Sequence, residues 1–227
     1  MELRLVGSEM CIRDSDDIVI SAGSTTGTVS FTPSDDSVYE DDEAATIAIS
    51  SVSGGSATES GTQTVTITIT DNESAGSVTL AVSASSIAEN AGSSLTLTAT
   101  LSSVSDEDVT VSLSTSGTAT EGTDYTDGSG VVDDITISVG DTTGTVNFTP
   151  TDDSTYEGNE TATIAISGVS GADATESGSQ SVSVTITENE SAPTVTLTVS
   201  ATSIAENAGS SITVTATLSG ATHENVT

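Results

Sequence analysis

The sequence predicts an all-β chain of tandem sandwich domains, and three observations carry that expectation. Val, Ile and Leu alternate with Thr and Ser through many short runs, such as Thr64-Val65-Thr66-Ile67-Thr68-Ile69-Thr70 and Ser94-Leu95-Thr96-Leu97-Thr98-Ala99-Thr100-Leu101. This is the two-residue period of strands with one buried face. No segment carries a helical apolar stripe, and the connections are rich in Gly, Ser, Asp and Asn. The chain also repeats itself without a gap. Ser86-Ile87-Ala88-Glu89-Asn90-Ala91-Gly92-Ser93-Ser94 returns 117 residues later as Ser203-Ile204-Ala205-Glu206-Asn207-Ala208-Gly209-Ser210-Ser211.

That period sets the domain boundaries. Residues 16–76 form the C-terminal part of a first repeat, 77–193 a complete repeat, and 194–227 the N-terminal part of a third. A unit of 117 residues has the size of an ordinary domain, too long for a solenoid turn, so the units are expected as beads on a string. The incomplete units are expected to be poorly ordered or non-native on their own. Residues 1–15 hold both arginines (Arg4, Arg13), both methionines and the single cysteine, Cys11. They read as a non-native leader or adapter scar, outside the fold.

Within the complete repeat seven strand-like runs follow in order: 77–83, 93–101, 108–114, 131–138, 143–149, 161–167 and 180–187. Seven alternating strands in about a hundred residues is the pattern of an immunoglobulin-like seven-stranded β-sandwich, here without the Cys and Trp hallmarks. Phe148 is expected in the core, and Tyr125 and Tyr156 beneath the acidic loops.

Charge is the second organising feature. The 227 residues include 34 Asp and Glu against two basic side chains, a formal charge of −32, and none of the basic ones lies beyond Arg13. Apart from His223, the repeats hold no cationic side chain to neutralise their carboxylates, which makes bound cations the expected countercharge. The same charge excludes nucleic acid and anionic membrane surfaces as partners. No apolar run is long enough to insert in a membrane. This composition suits a secreted or surface-exposed protein in a salty medium.

Topology predicts where the acids meet. In such a sandwich strands one, three, five and seven end at one pole. The loops leaving them carry Glu89, Asp124, then Asp152, Asp153, Glu157 and Glu160, and finally Glu188 and Glu190. These positions keep an acid in the partial copies, as Asp35, Asp36, Glu40, Glu43, Asp71 and Glu73 in the first and Glu206 in the third. At the opposite pole Asp106, Asp141 and Asp173 drift to His223, Ser24 and Ser56, which reads as solvation. Oxygen ligands without His or Cys select a hard cation, and a dense carboxylate pocket favours Ca2+ over Mg2+. The spacing Asp-Asp-x-x-x-Glu-x-x-Glu is not that of an EF-hand loop. Without an apolar wall, His, Cys or Lys, the cluster is not expected to be an enzyme's.

Ser86–Gly92, Gly117-Thr118-Ala119-Thr120-Glu121-Gly122-Thr123-Asp124-Tyr125, the Asp-Asp-x-x-Tyr-Glu-x-x-Glu run from Asp152, and Val184-Thr185-Ile186-Thr187-Glu188-Asn189-Glu190 together resemble the Calx-beta domain. The resemblance covers 77–190 and both partial repeats. It implies an immunoglobulin-like sandwich that binds calcium through Glu89, Asp124, Asp152, Asp153, Glu157, Glu160, Glu188 and Glu190. Ser154 stands where some relatives carry a third consecutive acid, and Glu188-Asn189-Glu190 replaces an all-Asp triplet, which implies fewer ions or weaker binding. The expected role is a stalk segment of a large adhesive surface protein, with neighbouring repeats and surface ligands as partners. The alternative is a calcium-sensing regulatory domain of a membrane transporter or receptor.

Overall fold

A computed structural model describes residues 2–6, 17–128, 130, 132–207 and 209–227. The first repeat contributes β1 (Glu2–Val6), β2 (Val38–Tyr39), β3 (Glu43–Ser51) and β4 (Thr64–Ile69). The complete repeat runs through β5 (Ser77–Val82), β6 (Ser86–Ala88), β7 (Leu95–Leu101), β8 (Val104–Ser105), β9 (Val109–Gly117) and β10 (Tyr125–Thr126). It continues with β11 (Ile135–Ile137), β12 (Thr143–Pro150), β13 (Thr155–Tyr156), β14 (Glu160–Ser170), β15 (Thr175–Glu176) and β16 (Ser181–Thr187). The third repeat adds β17 (Val195–Val199), β18 (Val214–Leu218) and β19 (Ala221–Thr222). Among the described residues no helix is long and apolar enough to cross a membrane.

The complete repeat is a two-sheet sandwich. One sheet runs β10-β12-β7-β5-β15 and the other β11-β9-β14-β16-β6. The alternation read from the sequence decides which residues meet between them. Val78, Leu97, Ala99 and Phe148 point inward from the first sheet, and Val109, Val111, Ala162, Ile164 and Val184 from the second, all fully buried. Removing such side chains from water is the main stabilising term. Tyr125 belongs to this core, its ring stacked on Phe148 with centroids 4.6 Å apart. The fourth run is shorter than the sequence implies. Asp134 takes the Ser112 hydroxyl at 2.9 Å and the Leu113 N–H at 3.0 Å, so a side chain replaces the strand ladder where β11 would extend.

The partial repeats reproduce pieces of this sandwich. β3 and β4 pair as Glu43↔Ile69 through Ala48↔Thr64, the register of β14 and β16 shifted by one period. β1 lies on the free edge of β3, with Leu5 opposite Ile47 and Leu3 opposite Ile49. In the complete repeat β9 fills that slot, with Thr115 opposite Ile164 and Leu113 opposite Ile166. Thus Glu2–Val6, set aside from sequence as a leader, pairs where a strand of the repeat would run. An unpaired sheet edge is a template for any extended segment within reach. The rest of that leader, from 7 to 15, lies outside the described residues. In the third repeat β17 and β18 form a hairpin, and Val195 is 54% exposed where its counterpart Val78 is fully buried. The difference is the missing opposite sheet.

Candidate metal centre

Each acid of the pole is placed by the strand that precedes it. Glu89 follows β6, which lies in parallel beside β16 with Ala88 opposite Thr187. Its N–H donates to the Thr187 carbonyl at 3.0 Å, and its side chain is buried at 8% exposure. Asp124 sits in a tight turn between β9 and β10, where its Oδ2 takes the Thr120 N–H at 2.6 Å. Its carbonyl takes the N–H of Thr151 at 2.9 Å, tying this turn to the start of the acidic loop. Glu157 follows β13, Glu160 opens β14, and Glu188 and Glu190 leave β16.

Six of the eight expected residues gather in two clusters. Glu89, Glu188 and Glu190 form one, Asp124, Glu157 and Glu160 the other, and in each the carboxylate oxygens lie within 4.8 Å of one another. Asp152 and Asp153 are not part of either. Both are exposed, and Asp153 Oδ1 accepts the Thr155 N–H at 2.6 Å. The Asp153 N–H donates to Glu89 Oε1 at 3.2 Å, so this residue shapes the loop around the buried glutamate.

Glu188 ties the pole together. Its Oε2 accepts the N–H groups of Glu157 and Gly158 at 2.6 and 2.8 Å, and its Oε1 those of Asn189 and Glu190 at 3.0 and 2.9 Å. Burial pushes this carboxyl up, but the amides of Glu190, Glu157 and Gly158, joined by the Glu190 side chain, win and hold it at about 2. Asn159, absent from the expected set, returns the tie by accepting the Glu188 N–H at 3.0 Å. Its counterpart Asp42 accepts the Asp71 N–H at 3.2 Å, so the polar residue at this position of both acidic loops was the available signal.

The remaining carboxyls resist ionising. Burial, then the charge of neighbouring Glu188 and Glu190, raises Glu89 to about 7 even though the Asp153 N–H opposes it. Burial followed by Asp124 raises Glu160 to about 7, and burial followed by Asp124 also raises Glu157. Glu190 is raised because, protonated, it hydrogen bonds to Glu188. Ionised, its Oε2 is a buried side-chain oxygen without a hydrogen-bond donor. A cation among these oxygens supplies what the protein's own donors do not, so the residues present fit a hard divalent ion.

The first repeat carries the same logic. Asp35, Asp36, Glu40, Glu43, Asp71 and Glu73 line one hollow. The Glu40 N–H donates to Asp71 Oδ2 at 3.2 Å, as Glu157 does to Glu188. Asp71 is lowered, burial being outweighed by such donors, and Glu73 is raised by its bond to Asp71. Glu206, without an acidic loop beside it, is exposed.

These shifts give a signed pH dependence. Glu89 and Glu160 bind protons more tightly folded, near 7, than at their ordinary 4.5, so their stabilisation is complete below about 4.5 and lost as pH rises through about 7. Glu188 works oppositely, but its loss comes only as pH falls toward about 2. Metal-free protein is therefore expected to melt lower at pH 7.5 than at pH 5. Calcium should reverse that order, since ions and protons compete for the same oxygens. Thermal melts in chelator and in calcium check both signs, and a higher metal-free melting temperature at pH 7.5 would contradict them.

The family model of the Calx-beta domain matches residues 14–73 and again 71–190. None of the curated proteins compared matches the chain. The two matches stand in tandem and take in both acidic loops. The sandwich and the position of its acids are thus those of one domain type used in tandem, and the chain belongs to the Calx-beta family.

Proposed function

We propose that this chain is a calcium-binding stalk segment of a large extracellular or cell-surface protein, in which ions at the strand-end pole stiffen the passage from one repeat to the next. The observation that carries this reading is the pair of three-carboxylate clusters beside the exit of β16, where the chain enters the following repeat. Asp124, Glu157 and Glu160 would hold one ion, and Glu89, Glu188 and Glu190 a second, with Asp152 at the rim. Calcium supplies positive charge there and nothing else. The protein's part is to hold six carboxylates close enough to need it. Charge removal by protonation is the other relief, and it fades as pH rises through about 7, where Glu89 and Glu160 ionise.

Because the Calx-beta family is non-catalytic, the role proposed for these carboxylates is structural rather than enzymatic. Small-angle scattering on the chain tests the reading. Calcium should lengthen the maximum dimension and sharpen the distance distribution relative to chelator, and an unchanged profile would count against a brace.

A further inference from the structure

The joint between consecutive repeats is built twice in this chain, in one register. β2 pairs in parallel with β8, Val38 opposite Val104 and Tyr39 opposite Ser105. β13 pairs in parallel with β19, Thr155 opposite Ala221 and Tyr156 opposite Thr222, each position one period further on. One more main-chain bond follows each pairing. The Asp106 N–H donates to the Tyr39 carbonyl at 3.3 Å, and the His223 N–H to that of Tyr156 at 3.4 Å.

The side chain of Tyr39 leaves its own repeat as well. It packs against the hydrophobic core of the complete repeat, and its hydroxyl donates to Asp173 Oδ2 at 3.0 Å. Asp173 lies in a turn where Gly171, Ala172 and Asp173 all have positive φ, of 97°, 52° and 48°. Glu107 fixes that turn by accepting the Ala172 N–H at 3.1 Å. The drifting acids Asp106 and Asp173, read from sequence as solvation, thus have partners: with Glu107, which keeps an acid as Glu224, they line one cleft with Tyr39 and Asp41. Their drift between copies does not remove the joint, because its main-chain pairing tolerates His223 in place of Asp106.

We propose that the pole opposite the acids is a docking face whose partner is the tyrosine-bearing turn of the preceding repeat. This deepens the calcium reading and rests on it in one respect, that the docked turn is also the loop carrying the acids. Two carboxylates of that loop's own repeat hold the main chain around the docking strand. Asp36 accepts the Val38 N–H at 2.9 Å and Asp71 the Glu40 N–H at 3.2 Å. In the next copy Asp153 and Glu188 do the same for Thr155 and Glu157, both at 2.6 Å. An ion held by Glu188, or by its counterpart Asp71, also shapes the strand that docks, and by reciprocity docking favours the ion.

The test uses the full chain with Cys11→Ser and spin labels at the exposed positions Thr62→Cys and Thr145→Cys, one in each repeat. Pulsed dipolar spectroscopy is recorded in calcium and in chelator, with melting curves alongside. A single narrow distance distribution is expected in calcium. Tyr39→Ala with Asp106→Pro, which removes the half-buried ring and the Asp106 donor, should broaden it at least twofold. Tyr39→Phe should broaden it less, and Asp106→His, the residue of the next joint, should leave it narrow. A distribution that is broad in calcium, or unaltered by the double variant, overturns the docking face. Narrow distances without any calcium effect on distance or melting keep the joint and remove the metal reading. Broad distances with a calcium-dependent melt do the reverse.

Discussion

Calcium at a hundredfold excess over its dissociation constant should add about 2.7 kcal/mol to the stability of the complete repeat, a rise in melting temperature on the order of 10 °C. The effect is large because the metal-free pole is unfavourable as built. Glu89 and Glu160 are pushed up to about 7 by burial first and by like charges second, and Glu190 Oε2 is buried without a donor. Glu157→Gln with Glu160→Gln removes two of the three carboxylates of one cluster while leaving Asp124 to hold its turn. This variant should melt higher than the native chain in chelator, because repulsion is gone, and gain less from added calcium. The crossing of the two curves is the diagnostic result. A variant that keeps the full calcium shift would place the ion elsewhere.

Gly117→Ala should cost about 2–4 kcal/mol, from backbone strain added to overpacking. Gly117 ends β9 with φ of 130°, and a Cβ there would lie 2.0 Å from the Thr161 carbonyl oxygen. The approach is close because that oxygen accepts the N–H groups of both Thr118 and Ala119, at 2.9 and 3.1 Å. Thr161 in turn donates its N–H to Thr118 Oγ1 at 2.8 Å. This knot sits between the loop of Asp124 and the first residue of β14, Glu160, so loosening it also separates one carboxylate cluster. Gly122→Ala is the comparison: its φ is also positive, 81°, but nothing lies within 4 Å of the added carbon, and about 1 kcal/mol is expected. Urea denaturation of both variants measures the difference. Equal losses would show that the contact with Thr161 gives way easily.

The main strands of the complete repeat were legible because each is long enough for its alternation to show. Leu95-Thr96-Leu97-Thr98-Ala99-Thr100-Leu101 has the inward and outward faces that β7 displays. The convergence of Glu89, Asp124, Glu157, Glu160, Glu188 and Glu190 was legible from loop parity alone, since alternate connections of a sandwich share a pole. Loop parity does not fix where a side chain turns. Asp153 satisfies an N–H two residues along its own loop and so stays out of the clusters. Nor did it show that Glu188 spends one oxygen on amides of the acidic loop it faces and the other on amides of its own segment. That the main chain of Tyr156 reaches the next repeat was not legible, nor that Tyr125 stacks on Phe148 in the core. A two-residue strand such as β13 has no period to read, and its partner lies 66 residues away, from Thr155 to Ala221.

That brevity has a mechanical meaning. Only two residues pair across each joint, whereas within a sandwich β9 is matched to β14 over eight. Tension along the polypeptide would release the joints long before any domain unravels, lengthening the molecule in small reversible increments. In the stalk role proposed above, such joints would act as a shock absorber at low load, with a reserve of extension that grows with their number.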